Sequence, residues 1–253
     1  MENNTIILIA VRLKSNRLKK KALLELCNIP LILALTQRLQ KSVNASNIVW
    51  CTSINPQDDE LYFLAKKNDI PCVRGAENDV ISRFIKAGDL FKAKNVIRVT
   101  GDNPLTDSKL IDLMIEDHII KKADYTFCED LPIGSRSEVI SIDALKFSHK
   151  NLQEPENSEY MTWMFNRKDI YKVNKYISKN KKVNFPNLNL SVDTHQEYNN
   201  IKKIFNFFNK IHFDLEYAIE FINNNIHIFN DQIYYKINNS KNNIINVKYR
   251  FEK

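Results

Sequence analysis

An α/β fold, with a mainly parallel sheet covered by helices on both faces, is predicted by three observations. Short β-branched apolar runs alternate with longer amphipathic ones over residues 5–128. Helix-start chemistry recurs at the head of the amphipathic runs: Asn55-Pro56, Asp107, and Thr194 with Glu197 at capping-box spacing. The 253 residues, 43% of them hydrophobic, suit one sizeable domain or a domain with an extension, and they exclude global disorder.

The elements follow in order. "TIILIAV" (5–11) reads as a central strand, residues 30–41 as a helix with Pro30 in its first turn, and "NIVWCT" (47–52) as a strand. "NPQDDELYFLAKK" reads as a helix with Asn55 as N-cap, Pro56 at the first helical position, and Asp58, Asp59 and Glu60 near the positive end of the dipole. "IPCVRG" (70–75) is a short strand, and 78–91 is a helix with Val80, Ile81, Phe84, Ala87 and Phe91 near one face. "NVIRVTGD" (95–102) is strand then loop, 107–122 an amphipathic helix with an Asp cap, and "ADYTFC" (123–128) a strand. Beyond about residue 130 the pattern loosens. There 137–142 is strand-like, 158–167 is a helix or helical turn, and "LNLSVD" (188–193) is a strand returning to the sheet. Helices follow at 194–208 and 214–225, and residues 226–253 read as short strands or a loosely packed tail.

Several function classes have no support. Cys27, Cys51, Cys72 and Cys128 are widely spaced with no C-x-x-C pair, so they read as buried reduced thiols rather than zinc or redox motifs. No apolar stretch approaches the roughly 20 residues that span a bilayer, and the first strand lacks the flanks of a signal peptide. A cytoplasmic protein with no membrane partner is expected. The net charge of +7 points to an anionic partner.

That charge is concentrated. Between Arg12 and Lys21 six of ten residues are cationic and none is acidic, directly after a strand that reads as buried. Ligands of parallel α/β sheets bind beyond the carboxyl ends of strands. Three loops occupy that place: the basic one, "TGDNPLTD" (100–107), and "VDT" (192–194). Together they supply cations and two carboxylates, Asp102 and Asp193. A nucleoside triphosphate carries about four negative charges, which amides, Arg or Lys and a divalent ion offset. Mg²⁺ prefers one or two carboxylates plus phosphate oxygens and water. The pattern therefore suits nucleotidyl transfer, with Asp102 and Asp193 as metal ligands. Taken singly, Asp102 also suits a "GDNP" turn, and Asp193 the start of a helix.

At these residues the chain resembles the cytidylyltransferases of surface-polysaccharide biosynthesis, especially the spore-coat-polysaccharide type. More distantly it is similar to 3-deoxy-manno-octulosonate and acylneuraminate cytidylyltransferases. The family's A-R-x-x-S-x-R-L-P-x-K stands here as "VRLKSNRLKKK", its R-x-x-G-D-x-P-L-x-D as "RVTGDNPLTD", and its V-D-T as residues 192–194. The resemblance covers residues 5–208. It implies a Rossmann-like nucleotidyltransferase fold over 1–210, with an acceptor and dimerisation subregion at 130–190 and a C-terminal helix and Asn/Lys-rich extension at 211–253. It also implies transfer of CMP from CTP to an acidic acceptor for surface glycan assembly, with release of pyrophosphate, Mg²⁺ dependence and a homodimer. Arg12 and Lys21 would neutralise phosphates, Arg17 would assist, and Ser15 would donate a hydrogen bond. Val11, Gly101, Thr52 and Arg83 complete the implied CTP site. Arg83 also suits a helix-surface salt bridge, and Thr52 a loop cap. Arg136, Glu138 and Glu159 fall on the implied acceptor side.

Departures from the family matter. Lys14, Lys19 and Lys20 replace its usual Gly and Pro, which shifts phosphate binding from backbone amides to side chains. "PIGSRSEV" and "SEYMT" replace P-D-G-x-D-V-E and R-E-H-V-T, so the acceptor is expected to differ from the family's usual one. Three rivals weigh less. A glycosyltransferase of similar architecture would carry D-x-D, for which "GDN" is a poor match. A basic RNA-binding protein would place aromatics among the basic residues 12–21, which hold none. A relative that binds nucleotide without turnover is suggested only by the missing glycines.

Overall fold

The computed structural model describes residues 4–154, 158, 161–234 and 248–251. Seven strands make one mixed sheet. In chain order they are β1 (Thr5–Ala10), β4 (Asn47–Ser53), β5 (Cys72–Gly75), β6 (Asn95–Thr100), β7 (Tyr125–Phe127), β8 (Glu138–Ser141) and β9 (Val173–Lys175). Across the sheet they run β5-β4-β1-β6-β8-β7-β9. β2 (Glu25–Leu26) and β3 (Ile29–Pro30) form a separate small antiparallel pair. β5, β4, β1 and β6 are mutually parallel. β8 is antiparallel to both β6 and β7, and β7 pairs in parallel with β9.

Helices cover both faces, as predicted. β1 explains why: its side chains alternate, and both sets are fully buried. Ile7 and Ile9 face a core completed by α1 (Leu31–Leu39), α2 (Asp59–Lys67), α4 (Ser108–Lys121), α7 (His195–Phe208) and α8 (Leu215–Asn224). Ile6 and Leu8 face a second core completed by α3 (Val80–Leu90), α5 (Ile142–Asn151) and α6 (Met161–Phe165). Burying each such side chain contributes roughly 1.5–3 kcal/mol. Trp50 is fully buried, with its indole N–H donating to Thr36 Oγ1 at 2.9 Å, whereas Trp163 is exposed. Among the described residues no helix is long and apolar enough to cross a membrane.

Local chemistry decided several boundaries. Asp107 caps α4 by accepting from the amides of Lys109 and Leu110, and Thr194 and Glu197 form the capping box of α7. Asn55 does not cap its helix. A 3₁₀ turn, Pro56–Asp58, precedes α2, and the Asn55 side chain reaches Glu77 instead. The expected strand over 188–193 is absent, and Leu188 and Asn189 make only isolated bridges, to Tyr234 and Ile133. Asn189 Oδ1 accepts from Ser191 N at 3.2 Å and Ser191 Oγ at 2.7 Å, a local turn that competes with a ladder. α5 and β9 were not foreseen. Of the C-terminal stretch, 226–228 and 231–233 are 3₁₀ turns and Tyr249 is buried; the remainder lies largely outside the described residues.

Gly134 fixes where the 188–193 segment lies. Its φ is +84°, and a Cβ there would stand 2.1 Å from Ser191 N. Gly134→Ala is therefore expected to destabilise the fold by about 2–4 kcal/mol, from left-handed strain plus overpacking. A urea midpoint unchanged from wild type would contradict this.

Candidate functional site

A cavity of about 740 Å³ opens at the carboxyl ends of β1 and β6. Its floor includes Ala10 and Thr100, which are in register on adjacent strands.

The loop after β1 is held by its apolar residues. Leu13 and Leu18 are buried, while Lys14, Asn16, Arg17, Lys19 and Lys20 are exposed. The Leu13 amide donates to Asp58 Oδ1 at 2.7 Å, and that carboxylate is fully buried and also takes the Ser53 hydroxyl. Ser15 Oγ accepts from Leu18 N at 3.4 Å, closing a turn. The loop is thus pinned by its apolar residues, with Lys14, Arg17, Lys19 and Lys20 directed outward and Lys21 inward.

The second and third loops are locked together by main chain. Val192 N donates to Asp102 O at 2.9 Å. Glu197 Oε2 accepts from the amides of Asp193 and Thr194, each at 2.8 Å, so the start of α7 sets the position of Asp193. Gly101 N donates to Ala10 O at 2.9 Å. A Cβ on Gly101 would lie 2.8 Å from Val11, so only glycine permits this close approach.

These loops meet at one atom. Lys21 Nζ is 2.5 Å from Asp102 Oδ2 and 2.5 Å from Asp193 Oδ1. Arg17 adds a contact to Asp193 Oδ2 at 2.9 Å. Burial alone would push the Lys21 ammonium down, but the two carboxylates outweigh it and hold its pKa above the ordinary value. Burial would likewise raise Asp102, yet Lys21 keeps it below the usual carboxylate range. Two carboxylates converging on one cation-sized point are a hard oxygen donor pair, which suits a divalent ion completed by phosphate and water. Among the described residues no group of three or more His, Cys, Asp or Glu could hold a metal on protein ligands alone.

Other predicted residues are placed as follows. Val11, Arg12, Ser15, Arg17, Lys21, Arg83, Gly101, Asp102 and Asp193 all line the cavity. Arg83 is buried rather than part of a surface pair, and its Nη2 donates to Glu77 O at 3.3 Å. Thr52 is fully buried in β4 and is absent from the cavity wall. Arg136 holds the carbonyls of Leu131 and Pro186 at 2.8 and 3.2 Å, away from the cavity. Glu138 is buried and takes the Tyr125 hydroxyl, Thr162 Oγ1 at 2.6 Å and Arg98 Nη1 at 2.6 Å. Glu159 lies outside the described residues.

Two charged cavity residues, Glu77 and Arg98, have no role assigned from the sequence, although Arg98 opens "RVTGDNPLTD". Glu77 follows β5 and accepts Lys14 at 2.9 Å, with Arg12 at 3.7 Å. The Lys14 hydrogen bond keeps the Glu77 carboxyl below its ordinary value. Arg98 lies within β6, and its signal was a lone charge inside an otherwise apolar central strand, "NVIRVT".

A sheet of this order, with its cavity at the carboxyl ends of β1 and β6, defines the protein as a nucleotidyltransferase by fold. It superposes on a cytidylyltransferase from Leptospira borgpetersenii with a TM-score of 0.83 and 26% identity, covering 92% of this chain and 99% of that one. The chain belongs to the cytidylyltransferase family, whose sequence model matches residues 6–239. The spore coat polysaccharide biosynthesis protein SpsF of Bacillus subtilis is 31% identical over 209 residues, 80% of this chain and 87% of that protein. A CMP:2-keto-3-deoxy-manno-octonic acid synthetase solved with CTP shares the fold at a TM-score of 0.61 and 14% identity, covering 81% of this chain and 99% of that one.

Proposed function

We propose that this cytidylyltransferase moves CMP from CTP to an anionic small-molecule acceptor in the cytoplasm, for surface glycan assembly. The observation that carries the reading is the convergence of Asp102 and Asp193 on Lys21 beneath the cationic loop. Arg12, Lys14, Arg17 and Lys21 offset the triphosphate charge, and Ser15 donates to a phosphate oxygen. Arg83 and Val11 border the nucleoside end of the cavity. Asp102 and Asp193 would hold Mg²⁺, which when bound polarises the transferring phosphoryl group. An acceptor oxygen bonds to the α-phosphorus as the bond to the bridging β-phosphate oxygen breaks, and pyrophosphate leaves. Lys21 then has two alternative anionic partners, the carboxylates and the phosphates, and passes from the first to the second as nucleotide binds. Arg12 and Lys14 likewise exchange Glu77 for phosphate.

The test is pyrophosphate release from each nucleoside triphosphate, with Mg²⁺ and a panel of sugar acids, sugar phosphates and phosphonates. Release confined to CTP and dependent on an acceptor is expected. Release from no nucleotide, together with tight RNA binding, would overturn the proposal.

A further inference from the structure

A second cavity, of about 390 Å³, shares no lining residue with the first. Its size falls within the range of about 300–1,000 Å³ typical of small-molecule sites. One loop serves both cavities: Gly101 and Asp102 line the first, Thr106 and Asp107 the second. The other walls come from the end of α1, the start of α4 and the segment that precedes α8.

Two well-buried side chains on these walls keep donors in reserve. Arg38 is 5% exposed, and its Nη1 donates to the carbonyls of Ile211 and Phe213 at 2.8 and 3.1 Å. Its Nε is sealed from solvent without an acceptor, and so is closed to any ligand. Its Nη2 also has no acceptor among the described residues but is not sealed, and it is the donor that Arg38 leaves to the cavity. Ser108, 9% exposed, is the first residue of α4, and its hydroxyl has no partner among the described residues. Lys41 and His212 are exposed at the rim, and Lys41 makes no ion pair among the described residues.

The carboxylates nearby are engaged. Asp107 accepts from the amides of Lys109, Leu110 and Leu215 at 2.9, 3.2 and 3.4 Å, and Asp214 takes Lys109 Nζ at 2.7 Å. Arg38, Lys41 and Lys109 thus set three positive charges against two negative ones. Burial, then Lys41 and Arg38, hold the His212 imidazole below its ordinary pKa, so the net field at the rim is positive. The positive end of the 14-residue helix α4 adds to it. Donors face this cavity from three separate elements. A tetrahedral oxyanion offers an oxygen to each, whereas a carboxylate offers two oxygens in one plane.

We infer that this cavity is a second anion site, which binds the phosphate group of a small molecule through Arg38 Nη2, the Ser108 hydroxyl, Lys41 and His212. Free phosphate and a phosphate monoester share that chemistry, and the experiment separates them.

The full-length protein without nucleotide is titrated with inorganic phosphate, glucose 6-phosphate, glucose, and sodium chloride at matched ionic strength. The imidazole resonance of His212, assigned through His212→Gln, reports this cavity, and that of His195, two residues after Asp193, reports the first. Both phosphates are expected to shift His212 to saturation with a Kd of about 1 mM or tighter, and to raise its titration midpoint, because an anion favours the imidazolium. Lys41→Met/Ser108→Ala removes two side chains that hold nothing in the fold, which circular dichroism checks. It is expected to weaken phosphate at His212 by about tenfold or more while the response of His195 stays as in wild type. Tighter binding of glucose 6-phosphate than of phosphate assigns the site to a monoester, and the reverse assigns it to the free ion. A His212 shift that glucose or sodium chloride reproduces, a response that does not saturate, or equal affinity in wild type and the double variant would overturn the inference.

Discussion

Replacing Asp102 by asparagine is expected to lower CTP-dependent pyrophosphate release by about a thousand-fold or more, because one of two charged oxygen ligands is lost from a metal-assisted step. The effect should be chemical and not structural. The substitution loses the carboxylate's pair with Lys21, which keeps Asp193, while the Asp102 carbonyl, which accepts from Val192 N at 2.9 Å, is unchanged in asparagine. Asp193→Asn should behave alike, since its amide, not its carboxylate, is held by Glu197. Melting temperatures near wild type beside collapsed turnover are the expected pair of results. Near-normal turnover in either variant would remove that residue from the site.

The second large effect is that of Lys21→Met. Turnover should fall by about 100- to 1000-fold as a phosphate-facing cation disappears. The variant should also show something a merely damaged enzyme would not. With the ammonium gone, the carboxylates of Asp102 and Asp193 face one point with Arg17 alone to offset them, and Arg17 is largely exposed and screened. Divalent-ion affinity measured without nucleotide should therefore rise severalfold, by the Coulomb term that Lys21 had supplied. Calorimetry with Mn²⁺ reads this directly. Unchanged or weaker ion binding in Lys21→Met would mean that the carboxylate pair is a structural ion pair and not a cation site.

Much of this centre was legible in the sequence because it is written in local signals. A buried run ending in a cationic loop, a "GDNP" turn and a capping box each announce themselves within a dozen residues; the parallel pairing of β1 with β6 brings the first two together, and the Val192 amide on the Asp102 carbonyl adds the third. The capping box even sets where Asp193 stands. What the sequence concealed was decided by partners far along the chain. Glu138 read as an acceptor contact, yet β8 runs antiparallel between β6 and β7, and that pairing turns its carboxylate onto Arg98 and Tyr125. Arg136 read as an anion ligand, but the fold of its own loop offers it two carbonyls. Residues 188–193 carried the apolar pattern of a strand, but Asn189 Oδ1 accepts from the amide and hydroxyl of Ser191 and offers that backbone a turn in place of a ladder. Arg98 was visible but unread, since alternation along a strand does not reveal which face meets a cavity.

The proposed transfer requires a single cation position shared by Asp102, Asp193 and a triphosphate. Anomalous diffraction from crystals grown with CTP and Mn²⁺ measures it directly. The expected result is a manganese peak between the two carboxylates, phosphate oxygens completing its shell, and Lys21 turned from the aspartates to the phosphates. A triphosphate bound away from residues 12–21, or manganese bound with neither aspartate, would contradict it.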